Sequence, residues 1–453
     1  MTADTVTKEV KYKQKIKSTE VHKVISKHML ADGFEIVLDL KRSKGIKLVD
    51  EISGDEYIDF FTFFASSPLG LNHPFLNSEE VKNNLGLAAV NKPSNSDIYT
   101  TYMADFVDTF GRIAKPDYMK YLFFIAGGAL AVENGLKVAF DWKVKKNFQK
   151  GLKEEKGHQV IHFKEAFHGR SGYTLSLTNT DPVKIQYFPK FNWPRIINPK
   201  ITFPLDDHLD EVIRLENQAI AEIKSAIKNN PDDIAVIILE PIQAEGGDNF
   251  FRKEFFKQLR QIADENEILL MYDEVQTGFG LTGKFWAAEH YVKPDIIAFG
   301  KKAQVCGIMV SERIDEVPDN CFKVSSRINS TWGANFTDMV RSKYIMDVIH
   351  DEKLVENSKV VGEYLKNQLY SIQQEYSKLI SNSRGFGLMC AFDLPNHKLR
   401  DEFRKLAYKE KLMILGCGDH SIRFRPPLNI TTDELDEGLK VIKKVLNLMS
   451  SNK

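Results

Sequence analysis

"IAVIILEP" (234–241), "RKEFFKQLRQIADENE" (252–267) and "ILLMYDEV" (268–275) follow one another in mid-chain, and how they are read decides the fold. The first run is apolar without alternation, which suits a strand covered on both faces. The second puts Phe255, Phe256, Leu259, Ile262 and Ala263 on one helical face, and the third is again apolar until Asp273. Strand, helix and strand at this spacing predict a largely parallel sheet covered by helices, to which "DIIAFG" (295–300) adds a further strand. Parallel strands share a carboxyl edge, and ligands of open α/β sheets bind beyond it. Glu240, Asp273 and Lys301 each stand where an apolar run ends, so the topology brings three charged groups to one rim.

The rest of the chain sets the frame. Its 453 residues, 43% hydrophobic, can bury a large core. With 62 basic and 62 acidic side chains there is no net field to draw in nucleic acid or an anionic membrane, so the expected partner is a small molecule. No apolar run approaches the roughly 20 residues a bilayer span needs. Cys306, Cys321, Cys390 and Cys417 are scattered with no CxxC pair, which argues against a zinc site or a disulfide framework and suits a reducing cytoplasm. "KEVKYKQKIKSTEVHKVISKH" (8–28) lacks arginine and an apolar core, so it reads as a solvated helix, one that could lie on a partner subunit, rather than a targeting signal. "TTDELDEGLKVIKKVLNLM" (431–449) carries a capping box, Thr431 with Glu434, and an apolar stripe of Leu435, Leu439, Ile442, Leu446 and Met449. The expected division is an N-terminal segment with part of a small domain (1–75), a large domain (76–340) and a C-terminal small domain (341–453). The small domain is then α+β and built from both chain ends.

Three features carry chemistry. In "AGGALAVENGLKVAFDW" (126–142) two glycines precede a helix whose inward face is Val132, Leu136, Ala139 and Phe140. Unpaired first-turn amides and the positive end of the helix then point at whatever lies above Gly127 and Gly128, as a phosphate would require. Taken alone, Gly-Gly is more often a tight turn before an ordinary helix. Asp273 follows five apolar or aromatic residues, and a carboxylate there needs a cation or a hydrogen-bond donor, or else serves as a cap or structural ion pair. Lys301 and Lys302 close "DIIAFGKK", and a partly desolvated lysine is a nucleophile toward carbonyls. A phosphate cradle, an acid for a ring nitrogen and a lysine for an aldehyde together describe pyridoxal phosphate. No GxGxxG stands at a strand-to-helix turn, which removes a Rossmann dehydrogenase.

"DEVQTGFGLTG" (273–283) followed by "DIIAFGKKAQVCG" (295–307) resembles the lysine signature of the class III, fold-type I aminotransferases, in which the lysine directly follows the glycine. That selects Lys301. Lys302, one position on, is expected to point another way and to face solvent. "FFASSPLGLNHP" (63–74), "GGALAVEN" (127–134), "AFHGRSGYTLSLTNTDP" (166–182), "EPIQAEGGD" (240–248), "NSTWGAN" (329–335), "GLMCAFDLP" (387–395) and "IRFRPPL" (422–428) narrow the resemblance to the branch acting on the ε-amine of lysine. Ala244, where many members carry glycine, and Gly135, which should cost helix stability, depart from the usual pattern.

The resemblance implies a fold-type I α/β enzyme that transfers the ε-amino group of L-lysine to 2-oxoglutarate by a ping-pong mechanism. It implies that Lys301 binds pyridoxal phosphate covalently and then shuttles a proton, while Asp273 keeps the ring nitrogen protonated. Gly128 and Ala129 would hold the phosphate, with Ser330 and Thr331 of a second subunit in a homodimer. Phe167 and Val275 would flank the ring, Gln276 would sit near its phenolic oxygen, and Glu240 belongs to the same cofactor set. For substrate, Arg170 would clamp the distal carboxylate with help from Asn329, and Arg423 would grip the α-carboxylate of 2-oxoglutarate. Glu245 would neutralise Arg423 while lysine is bound. Ornithine, acetylornithine or 4-aminobutyrate as amino donor, or a non-catalytic protein of the same fold, are the alternatives.

Overall fold

A computed structural model of the chain describes residues 16–451. Residues 8–15 of the lysine-rich segment lie outside it. The remainder of that segment forms a 3₁₀ turn, Ser18–Glu20, and a short helix, Val21–Ile25, with no buried residue in either.

Seven strands make the central sheet. In spatial order they are Met119–Ile125, Cys306–Ser311, Ile296–Phe299, Leu269–Asp273, Ile234–Leu239, Gln159–Phe163 and Arg195–Ile196. Only Cys306–Ser311 runs against the others, pairing antiparallel with both of its neighbours. The register sets Val236 beside Leu269, Leu239 beside Tyr272 and Asp273 beside Ala298. Every residue of the three central strands is buried, as continuous apolar runs require. The helix Lys253–Glu265 covers one face with Phe255, Phe256, Leu259, Ile262 and Ala263, all buried. The helix Gly128–Gln149 covers the opposite face with Val132, Leu136, Ala139 and Trp142.

That second helix corrects one expectation. Gly135 is not merely a weak helix former: a Cβ there would stand 2.5 Å from the methyl of Met271 and 3.4 Å from Ile296, so its bare face is what lets the helix lie close on the sheet.

The two chain ends meet in the smaller, α+β part. Lys47–Val49, Glu56–Asp59 and Leu412–Met413 form a three-stranded sheet, joining residues more than 300 positions apart. Ser381–Phe386, Met389–Asp393, Ser421–Phe424 and Leu415–Cys417 form an antiparallel four-stranded one. The helix Thr432–Ser451 packs its predicted stripe into the same core. Its capping box is present, with the Glu434 amide donating to Thr431 Oγ1 and the Thr431 amide to Glu434. Among the described residues no helix is long and apolar enough to cross a membrane.

Candidate active site

Five connections leave the carboxyl edge of the large sheet, and the site is built from them. Ile125 leads to Gly127, Phe163 to the turn bearing Phe167 and His168, and Leu239 to Glu240; Asp273 closes its own strand and Phe299 leads to Lys301. Parallel strands make this convergence automatic.

The Gly127 end is shaped for an anion. Gly127 has φ of +105°, a conformation that favours glycine, and it caps a 22-residue helix whose first amides have no acceptor within the helix. Gly128 lies so close to Val275 that a Cβ on it would stand 2.9 Å from Val275 Cγ1, and one on Gly300 would stand 3.4 Å from that atom. Gly128 and Gly300 therefore both pack closely on the Val275 side chain.

Asp273 is buried and has two partners. Oδ1 accepts from the Val275 amide at 3.1 Å, and Oδ2 faces His168 Nδ1 at 2.8 Å. A carboxylate only accepts, so Nδ1 carries the proton. His168 Nε2, buried, has no partner among the described residues. This histidine was not singled out from sequence, although it lies in the quoted "AFHGR" run and Asp273 plainly needed a donor.

Glu240 is also buried, and burial raises its carboxyl to about 7. Its oxygens accept from the amides of Phe167 at 2.9 Å and Ala244 at 3.0 Å, so it fixes two loops. Each oxygen of Glu240 thus already accepts one backbone amide. Ala244 fits without strain: it is fully buried, and the amides of Gly247 and Asp248 turn back onto its carbonyl.

Lys301 sits where extended Gly300 ends its strand, and its own φ of +49° is a conformation a side-chain-bearing residue holds only when its surroundings impose it. Burial brings its ammonium down to about 8, with Arg423 and Arg425 adding to the effect. Lys302 does not face solvent as expected. It is buried, with Nζ 3.3 Å from the Gln276 carbonyl, and burial pushes its ammonium well below the ordinary lysine range. The short 3₁₀ turn over Lys301–Ala303 wraps both lysines inward, where a continuing strand would have alternated them.

Arginines of the strand Ser421–Phe424 and its end complete the site. Arg423 is 2% exposed; its Nη2 donates to Glu245 at 2.9 Å, while Nε and Nη1 find no partner among the described residues. Against its burial, Arg423 and Lys184 hold the Glu245 carboxyl below the usual range. Arg425 donates to both oxygens of Asp248 and from Nε to Gln276 Oε1 at 3.1 Å. That contact identifies the Gln276 oxygen and leaves its amide nitrogen as a donor. Arg425 was missed in the sequence, yet two residues along a strand share a face, so choosing Arg423 should have brought it in.

Arg170, Asn329, Ser330 and Thr331 are not joined to this cluster by any hydrogen bond among the described residues. Arg170, Asn329 and Thr331 are exposed. The 330–332 loop is tied to the 94–95 turn instead: Ser94 donates to the Thr331 carbonyl at 2.6 Å and Asn95 to that of Trp332 at 2.8 Å.

The class-III aminotransferase family model matches residues 30–446. The chain belongs to the class-III aminotransferases. The L-lysine-epsilon aminotransferase of Mycobacterium tuberculosis is 49% identical over 95% of this chain and 96% of its own length. That of Amycolatopsis lactamdurans is 45% identical over 93% of this chain and 94% of its own. A solved structure of lysine aminotransferase from M. tuberculosis superposes with a TM-score of 0.94 at 48% identity, covering 96% of this chain and all of that one.

The cofactor of this aminotransferase is pyridoxal phosphate, and the residues present fit it. Helix-start amides at Gly128 with no acceptor in the helix share the sheet rim with buried Asp273 and a lysine of lowered basicity, while His168 Nε2 has no partner among the described residues.

Proposed function

We propose that this aminotransferase moves the ε-amino group of L-lysine to 2-oxoglutarate, giving L-2-aminoadipate 6-semialdehyde and L-glutamate in two half-reactions that share one pocket. The observation that carries the reading is the Glu245–Arg423 pair, in which a buried guanidinium keeps two donors unpartnered while its charge is neutralised. A pocket that takes a dicarboxylate needs the guanidinium. The same pocket must turn that charge off when the donor brings only an amine to this end. Arg423 grips the α-carboxylate of 2-oxoglutarate once Glu245 withdraws, and Arg170 with Asn329 receives the distal carboxylate of either substrate.

Pyridoxal phosphate, when bound, supplies an aldehyde and an electron-accepting ring. Lys301 would hold and pass on the proton from the substrate carbon bearing the amino group, a task suited to an amine brought down to about 8. Asp273, oriented by the His168 N–H, would face the ring nitrogen and favour its protonated form. Val275 and Phe167 would flank the ring, Gln276 would donate to its phenolic oxygen, and Gly128 and Ala129 would offer amides to the phosphate.

The protein works as a homodimer in the cytoplasm, with Ser330 and Thr331 reaching the partner's phosphate site. Supporting this are the exposed apolar groups around that loop, with Trp332 at 49%, Ile98 at 68% and Tyr99 at 74%. The four free cysteines suit a reducing compartment.

Purified protein given lysine and 2-oxoglutarate should yield the semialdehyde by mass spectrometry, and should prefer lysine to ornithine, acetylornithine and 4-aminobutyrate. Borohydride should trap the cofactor on Lys301, and light scattering should return twice the chain mass. A preference for another donor, or label on Lys302, would overturn the assignment.

A further inference from the structure

Glu245 has a second cation that the expected Glu245–Arg423 gate does not use. Lys184 Nζ lies 2.8 Å from Glu245 Oε1, while Arg423 Nη2 lies 2.9 Å from Oε2, so the two cations hold different oxygens of one carboxylate. They differ in freedom. The Arg423 side chain is 2% exposed, whereas those of Lys184 and Glu245 are 22% and 28% exposed. Lys184 ends the short 3₁₀ turn Pro182–Lys184, is steadied by Thr180 Oγ1 at 3.2 Å, and passes 5.4 Å from the centre of the Phe167 ring. Arg423 is thus the fixed partner and Lys184 the movable one on the solvent side.

We propose that Lys184 is a positioning residue that sets how readily Glu245 releases Arg423, and so how well the pocket accepts the dicarboxylate of the second half-reaction. The inference rests on the reading of Glu245 and Arg423 above. A bidentate grip on a carboxylate needs Nη2 together with Nε or Nη1, so Glu245 must withdraw, and a half-buried carboxylate with no cation is costly. Lys184 removes that cost, because its oxygen is not the one being released and its stem can follow the carboxylate outward. Without Lys184 the only cation left to Glu245 among the described residues is Arg423, and the closed arrangement gains.

The test is a double-mutant cycle on the holoenzyme, using glutarate as an unreactive five-carbon dicarboxylate probe in titration calorimetry. Lys184→Met keeps the stem and removes the charge. It should weaken glutarate binding about fivefold, the worth of an ion pair at this exposure, and raise the KM for 2-oxoglutarate to match. The single-turnover rate with lysine should stay within about twofold of wild type. Lys184→Arg should restore glutarate binding. In a Glu245→Ala background Lys184→Met should have no further effect, since there is no carboxylate left to hold.

Unchanged or tighter glutarate binding in Lys184→Met would overturn the proposal. So would an equal loss in the Glu245→Ala background, which would mean that Lys184 attracts the dicarboxylate directly. If lysine proves not to be the donor but the cycle still shows coupling, the donor assignment falls and the role of Lys184 stands.

Discussion

Lys301 and His168 carry consequences that can be measured one side chain at a time. Burial, with Arg423 and Arg425 nearby, brings the Lys301 amine to about 8. Capture of pyridoxal phosphate by the apoprotein needs the free amine, so its rate should rise about tenfold per unit below pH 8 and level off above, followed by visible absorbance. The linked stability has a definite sign. In the unfolded chain this lysine stays protonated to about pH 10, so between 8 and 10 the unfolded state holds more protons, and the group's contribution to apoprotein stability rises with pH across that window. Replacing His168 by Phe strips Asp273 Oδ2 of its only side-chain donor among the described residues. A hydrogen bond to a charged group is worth about 2 kcal/mol, so the single-turnover rate should fall about thirtyfold; an unchanged rate would deny His168 any part in holding Asp273.

The helices at this site are placed by what they lack as much as by what they carry. Gly128–Gln149 approaches the sheet through Gly128 and Gly135, where added Cβ atoms would meet Val275 and Met271. The C-terminal helix Thr432–Ser451 repeats the device at Gly438, where a Cβ would stand 2.2 Å from the Phe60 ring, itself fully buried. Gly438→Ala gains helix propensity but must displace an enclosed aromatic, so it should destabilise by about 2 kcal/mol in chemical denaturation. Propensity alone forecasts the opposite sign, which makes the measurement decisive.

The two sheets are joined behind the site by buried charge. Arg425, at the end of a small-sheet strand, grips both oxygens of Asp248 in the loop after Ile234–Leu239, and both residues are essentially inaccessible. Arg384 adds a second tie, donating to the carbonyls of Gly247 and Asp248 and pairing with Asp393 at 2.9 Å. The loop thus clamped is the one that carries Glu245. Asp248→Ala would leave the Arg425 charge uncompensated, with an expected loss of about 3–5 kcal/mol and a freed Gln276; denaturation and cofactor titration would both register it.

Local rules reach the strands, the covering helix and the C-terminal stripe, because burial on one face or two imprints a period that one segment shows by itself. They also reach the carboxyl edge, since parallel strands leave no choice about where their ends gather. The motif that picks Lys301 depends only on neighbours in the chain. The contacts that tune the site do not: His168 with Asp273, Lys184 with Glu245 and Arg425 with Asp248 join residues 105, 61 and 177 positions apart. No periodicity records such pairings. The inward turn that buries Lys302 and the close approaches at Gly135 and Gly438 are likewise set by packing against distant elements, and packing density is a property of the folded interior that no single segment carries.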